Sequence, residues 1–374
     1  TTPEQRDWLY IHAANCFGLS RLSYTDRINY INFNKERICA AVDDPWKYRD
    51  YLEQAKHPFR FIAACREVRN FSQVKYGMLS SLPVQMDASS QGIQIWATLC
   101  NDKDLMYASN VLPSDDGEPR DIYSELATDI NTIAMTTSDS RAAYFRVNPV
   151  ERDVTKKCMM IIPYGGSFPA IKNVIDSSLH SAPPGARSWL SSELWMQSMD
   201  RLSSLVSASQ KLSQAAREAL KNGDVDHLEW LAPSGMLVKQ RYMKDKRIRI
   251  KNSIGQMVHS YREETDELDI AKNATAFPPN LIHSIDASIL SNFIFNCYNN
   301  NKIKDYLVIH DCVGVHASNA PVVHRTLQES FLCVLSGIQI ENLLSGPLDM
   351  AFPGRYDGCR MKGEVINTSQ YLFS

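Results

Sequence analysis

A chain of 374 residues, 44% hydrophobic, is long enough to bury a sizeable core and to divide into two subdomains. Its net charge of −2 gives no global sign of a nucleic-acid or membrane ligand, although a cleft can still concentrate cations locally. No apolar run approaches the roughly 20 residues needed to cross a bilayer, and the polar start TTPEQRDW resembles no signal peptide, so a soluble protein is expected. The nine cysteines are odd in number, with no CxxC pair and no zinc-like spacing to histidine, and read as reduced thiols in a cytoplasmic protein. The first residue is Thr1, which suggests processing or an N-terminal portion outside this numbering.

In chain order, SLPVQMDASSQGIQIWATL (81–99) alternates Leu82, Val84 and Met86 into Asp87. Small residues and Gly92 then break the strand before an apolar, helix-like run. The bland reading of Asp87 is an N-cap for that helix. In ERDVTKKCMMIIPYGG (151–166), Arg152 and Lys156 lie four apart on one helical face, and the helix should fail near Pro163 and Gly165-Gly166. SAPPGAR (181–187) reads as a loop. Residues 191–224 show helical core patterning that stops at Asn222-Gly223.

KQRYMKDKRIRIK (239–251) carries Lys239, Arg241, Lys244, Lys246, Arg247, Arg249 and Lys251, and RIRIK has the period of a strand with one basic face. Such a face is either a charge-blunted edge or a phosphate contact. REETDELD (262–269) reads as a solvated acidic loop. Finally, YLVIHDCVGVHA (306–317) predicts a strand, a tight turn and a second strand, with His310 and Asp311 at the turn. Asp in a turn commonly caps its own backbone, but here two β-branched strands would hold the carboxylate rigidly at a sheet end, as a metal ligand is presented. A divalent site needs a second acidic residue, and Asp87 is the candidate.

DASSQGIQ, RDVTKKCMMIIPYGG and IHDCVGVHA resemble, in order and approximate spacing, the three active-site motifs of the single-subunit RNA polymerases of bacteriophages and mitochondria. IHAANCFG (11–18), HPFRFIAACRE (57–67), LPSDDGEPRDIY (112–123), WLAPSGMLVKQRY (230–242) and PPNLIHSIDASIL (278–290) agree, and the resemblance runs from about residue 8 to the C-terminus. It implies that Asp87 and Asp311 hold two magnesium ions. Arg152 and Lys156 would bind the incoming triphosphate, Lys156 also serving the leaving group. Tyr164 with Gly165 would lie near the nascent base pair and the sugar, His283 near the ribose 2′-hydroxyl, and Tyr123 would shape the site. Lys239, Arg241, Arg247 and Arg249 are the candidate nucleic-acid contacts. Related DNA polymerases place a glutamate where this chain has Gly92 and another where it has Cys312, so ribonucleotides are the expected substrate.

The departures are Cys312 and Val313 in place of a hydroxyl and an aromatic, and Pro163, expected to distort the last helical turn. The implied architecture is α+β and mostly helical: a right-hand palm on a small antiparallel sheet with helical fingers, the N-terminal domain and thumb being absent. Expected segments are a helical lead-in at 1–74, palm at 75–130, fingers at 131–269, and palm with a C-terminal tail near the active site at 270–374. The expected function is DNA-directed RNA synthesis on a DNA template with ribonucleoside triphosphates, the nascent RNA being the product. A phage protein in the host cytoplasm, paired with a second, smaller subunit supplying the missing parts, is the expected context. Alternatives are a related DNA polymerase fragment, a non-catalytic nucleic-acid-binding subunit, and a metal phosphohydrolase built on His310-Asp311.

Overall fold

Five helices open the chain: α1 (Pro3–Phe17), α2 (Tyr24–Phe33), α3 (Lys35–Asp43), α4 (Arg49–Leu52) and α5 (Pro58–Gln73). Small buried residues, Ala13 and Ala14 on α1 and Ala64 and Cys65 on α5, let helices meet closely around Ile31, Ile38 and Phe61. Arg27 is fully buried among them. Its guanidinium donates to the carbonyls of Ser20 and Leu22 and to Asn15, which satisfies the buried charge with neutral acceptors. The structure, a computed structural model, describes residues 3–73, 79–223, 225–251, 258–336, 338 and 368–374. Residues 339–367 of the expected second palm segment, Cys359 included, lie outside the described residues.

The chain continues through β1 (Pro83–Asp87), α6 (Gln91–Leu99), α7 (Lys103–Ala108), α8 (Ile122–Thr136), α9 (Ala143–Val147), α10 (Arg152–Met159) and α11 (Phe168–Ser178). Two long helices follow, α12 (Pro184–Arg201) and α13 (Ser203–Asn222), then strands β2 (Leu228–Leu231), β3 (Leu237–Gln240), β4 (Met243–Lys251) and β5 (Val258–Leu268). Helix α14 (Ile270–Asn299), the hairpin β6 (Tyr306–Ile309) and β7 (Cys312–His316), and α15 (Ala320–Ser336) complete the elements. Mostly helical with small antiparallel sheets is thus the observed class. Among the described residues no helix is long and apolar enough to cross a membrane.

Two compact units form. The first takes the described residues within Thr1–Asp129, Asp286–Ser336 and Met361–Ser374, the second those within Ile130–Ile285 and Gly337–Arg360. The second boundary falls inside α14, so residues 270–285 group with the second unit and not with the segment that follows them. In the first unit, β1, β7 and β6 form one antiparallel sheet in that order. Helix α6 is buried on every side, apolar except for Gln91, Gln94 and Thr98, and the amide of Gln94 and the hydroxyl of Thr98 are bonded to backbone carbonyls. In the second unit, Trp230 and Gln240 tie β2 and β3 to α14, Trp230 Nε1 donating to Ser284 Oγ at 2.9 Å and Gln240 Nε2 to the Asn273 carbonyl at 2.7 Å.

Several expectations need correction. The helical pattern at 191–224 stops as expected at Gly223, which takes the left-handed φ of 75°, and is carried by two helices separated at Leu202. SAPPGAR is a loop only up to Pro183, because Pro184 begins α12, where a missing amide proton costs nothing. The acidic run 262–269 is no loop: through Leu268 it lies in β5, and Glu263 and Glu264 stand opposite Lys246 and Asp245 of β4. Lys246 opposite Glu263 and the Lys244–Glu267 bridge give that run cross-strand partners which composition alone conceals, although Glu264 faces Asp245 and Arg262 faces Arg247.

His12, in α1, accepts a hydrogen bond at Nδ1 from the Gln85 amide of β1 at 3.2 Å and is 4% exposed. Burial, aided by the Arg60 charge, pushes its pKa from 6.5 to about 4. The unfolded chain therefore takes up this proton first as pH falls, and stability should be full above about 6.5 and decline toward 4, by about 3 kcal/mol at most. Urea unfolding between pH 4 and 7 should show this slope in the wild type and a flatter one in His12→Gln.

Candidate active site

In the sheet register Asp87 stands opposite Cys312, and the Ala88 amide donates to the Asp311 carbonyl at 3.3 Å. The end of β1 and the start of β7 thus place Asp87 and Asp311 side by side. The β6–β7 turn consists of His310 and Asp311, between the paired Ile309 and Cys312, and the left-handed corner falls on His310 with φ 54°. Both carboxylates bear on one thiol: burial first, then Asp87 and Asp311, push Cys312 up to about 11. Asp87 is exposed and Asp311 half-buried, so neither is sealed from solvent. The N-cap position of α6 is Ser90, three residues past Asp87, and the bland reading of Asp87 fails.

The chain's last residues hold this strand end from its other edge. Ala88 bridges Phe373, the Ser374 amide donates to the Asp87 carbonyl at 2.9 Å, and Ser89 Oγ donates to the Tyr371 carbonyl at 2.7 Å. Tyr371, Leu372 and Phe373 are buried, and Tyr24 Oη donates to the Phe373 carbonyl. Asp87 is therefore carried on backbone paired on both sides.

A third carboxylate escaped the sequence reading. Asp286 on α14 accepts from Gln91 Nε2 at the start of α6. Burial, then the charge of Asp311, pushes it up to about 6. It lay within the quoted LIHSIDAS, but only the fold shows that it shares a field with Asp311. The surplus of negative charge here, made of hard oxygen donors at an open strand end, fits a divalent cation of the magnesium type. Among the described residues no cluster of three or more candidate ligands is pre-arranged around a metal, so water and substrate phosphate would complete its coordination.

The second unit holds the other predicted residues. On α10, Arg152 and Lys156 are half-buried while Lys157 is exposed, and Arg152 lies 3.7 Å from Asp153. The α-helix ends at Met159, ahead of Pro163, which sits instead in a 3₁₀ turn, Ile162–Tyr164; no final α-helical turn is distorted. Gly165 then takes φ 79°, and a Cβ on Gly166 would lie 2.6 Å from the Ile161 carbonyl oxygen, so the tight reversal requires both glycines. This turn presents Tyr164, whose ring stacks on His283 with centroids 4.8 Å apart and planes within 9°. Two residues predicted from separate motifs thus meet.

Tyr123 is buried in the first turn of α8 and Gly92 in the first turn of α6, both in the first unit. RIRIK lies in β4, as its period-two spacing leads one to expect, and the other cations of 239–251 are shared between β3, the link after it and the start of β4. Lys239 belongs to β3, paired with Glu229 at 3.3 Å, Arg241 is exposed between strands, and Arg247 and Arg249 belong to β4, Arg247 donating to Ser260 Oγ.

The sequence model of the DNA-dependent RNA polymerase family matches residues 2–370. The chain belongs to that family. It is 27% identical over 360 residues to the mitochondrial DNA-directed RNA polymerase of Mus musculus, 91% of this chain but 29% of the mouse protein. Against the Schizosaccharomyces pombe mitochondrial enzyme it is 25% identical over 98% of its own length and 33% of that protein's. For the Arabidopsis thaliana mitochondrial polymerase 1 the figures are 27%, 92% and 37%. The chain spans about a third of the curated relatives it matches. Those relatives are organellar and carry their remaining length in the same polypeptide, which lends no support to a second subunit or to a phage origin.

Because the native fold holds the Asp286 proton more tightly than the unfolded chain, stability from this group is full below about pH 4 and lost as pH rises through 6. Asp286→Asn should accordingly raise the melting temperature at pH 7.5 in the presence of chelator, with the gain fading by pH 4. Thermal unfolding across that range checks it.

Proposed function

We propose that this chain is the catalytic part of a DNA-directed RNA polymerase, joining ribonucleotides to a growing 3′ end by nucleotidyl transfer. The observation that carries the reading is the meeting of Asp87 and Asp311 at adjoining strand ends, in a chain that the family matches along nearly its whole length. Two magnesium ions held by these carboxylates would activate the attacking 3′-hydroxyl and offset charge on the triphosphate. Asp311 is fixed by the hairpin turn and Asp87 by pairing on both of its edges, so neither must be ordered when substrate arrives.

In the second unit, Arg152 and Lys156 bind triphosphate oxygens, Arg152 as a planar fork and Lys156 as a mobile point charge able to give its proton to the leaving pyrophosphate. The stacked Tyr164 and His283 offer an aromatic platform and an imidazole for the base and sugar. Gly92 leaves room for a 2′-hydroxyl where a larger side chain would not. The cations of β4, partly neutralised by β5, serve nucleic-acid phosphate.

Asp87→Asn and Asp311→Asn should each reduce extension of an RNA primer on single-stranded DNA by about a thousandfold or more while leaving primer-template binding intact. Retained extension in either variant would sink the assignment. Gly92→Glu should depress ribonucleotide use more than deoxyribonucleotide use, measured as the ratio of kcat/KM values.

A further inference from the structure

The three-stranded sheet turns one face outward beside the carboxylates. Along β1, Val84 and Met86 are buried, so Gln85 and Asp87 share the other face, and across β7 they stand opposite Gly314 and Cys312. Gly314 leaves the middle of that face without a side chain: a Cβ there would touch Leu307 and Pro83 at 3.4 Å. Leu307 and Ile309 of β6, on the same face, are 50% and 56% exposed. The result is a smooth strip ending at Asp87.

A cation stands at this strip. Arg60, exposed in the first turn of α5, donates from Nη1 to Gln85 Oε1 at 3.3 Å. Its charge also reaches Cys312, where it opposes the two carboxylates. The amide that holds Arg60 is neutral, so the guanidinium keeps its full charge for a ligand. At about 3.3 Å per residue, Gln85 lies about 7 Å along the strand from Asp87, on the order of the separation of neighbouring phosphates on one nucleic-acid strand.

We propose that Arg60, steadied by Gln85, binds a backbone phosphate of the product RNA strand one or two nucleotides behind its reactive 3′ end. The inference rests on the polymerase reading, because only then must a 3′ end lie at Asp87. The exposed Leu307 and Ile309, flanking the low ground at the buried Gly314, receive the sugar edge of the strand, and Arg60 supplies a charge-assisted contact that fixes its register. Neither residue touches the reacting atoms; Arg60 is a positioning residue.

The test uses the full polymerase and an RNA–DNA hybrid with a single-stranded template, binding being read by fluorescence anisotropy in chelator. Arg60→Ala should weaken binding about fivefold to tenfold near 0.1 M salt and reduce the slope of log affinity against log salt by about 0.7–0.9, as loss of one phosphate contact requires. Arg60→Lys should retain the wild-type slope. Gln85→Leu should give a smaller loss with the slope unchanged.

A neutral methylphosphonate at the second or third linkage from the RNA 3′ end should weaken the wild type and leave Arg60→Ala unaffected. Equal affinity and slope in Arg60→Ala, or interference mapping to the DNA strand, overturns the assignment. Absence of magnesium-dependent extension by the wild type on the same scaffold would instead reject the polymerase reading itself.

Discussion

The candidate site depends on the backbone ladder between β1 and β7. Asp87 and Asp311 are far apart in the chain, and nothing local brings them together. The antiparallel register does so, pairing Asp87 with Cys312 and bonding the next amide to the Asp311 carbonyl. A slip of one residue would turn Asp87 into the core and Met86 out of it. Burial of Val84 and Met86 beneath the sheet therefore fixes the chemistry as much as the carboxylates do.

A second layer of constraint comes from what surrounds the ladder. Helix α6 is buried all round, and its Gln94 amide bonds both the Ser109 carbonyl and the Leu372 carbonyl of the terminal segment. Gln91, one turn earlier, bonds Asp286. The electrostatic consequence is that burial first, and neighbouring carboxylates second, raise the pKa values of Asp286 and Cys312. Clustered like charge that the fold tolerates at a cost is a mark of a site made for a counter-ion.

Much of this was legible in the sequence because the signals were local. Period-two alternation gave both strands, and the His310-Asp311 pair between β-branched runs gave the hairpin; Gly223 gave the end of α13. Three things were not legible, each for a physical reason. The acidic run 262–269 lies in a strand whose opposite-charge partners, Lys244 and Lys246, sit on β4, about twenty residues earlier. Helices α12 and α13 share one apolar pattern, so the break at Leu202 has no compositional mark. Asp286 looked like one more polar residue on a helix, since its importance comes from a neighbour in another segment. The stack of Tyr164 on His283 lay between: each residue was found by motif, but their contact was not.

The order of the strands also bears on how the protein is made. Strand β1 leaves the ribosome well before β7, its neighbour in the sheet, which lies some two hundred residues later. At about 5–20 residues per second, β1 waits roughly 10–45 s with an unsatisfied edge and with Val84 and Met86 uncovered. Through that interval the nascent chain offers an apolar strand edge to any other that passes, an exposure that the topology itself imposes on synthesis.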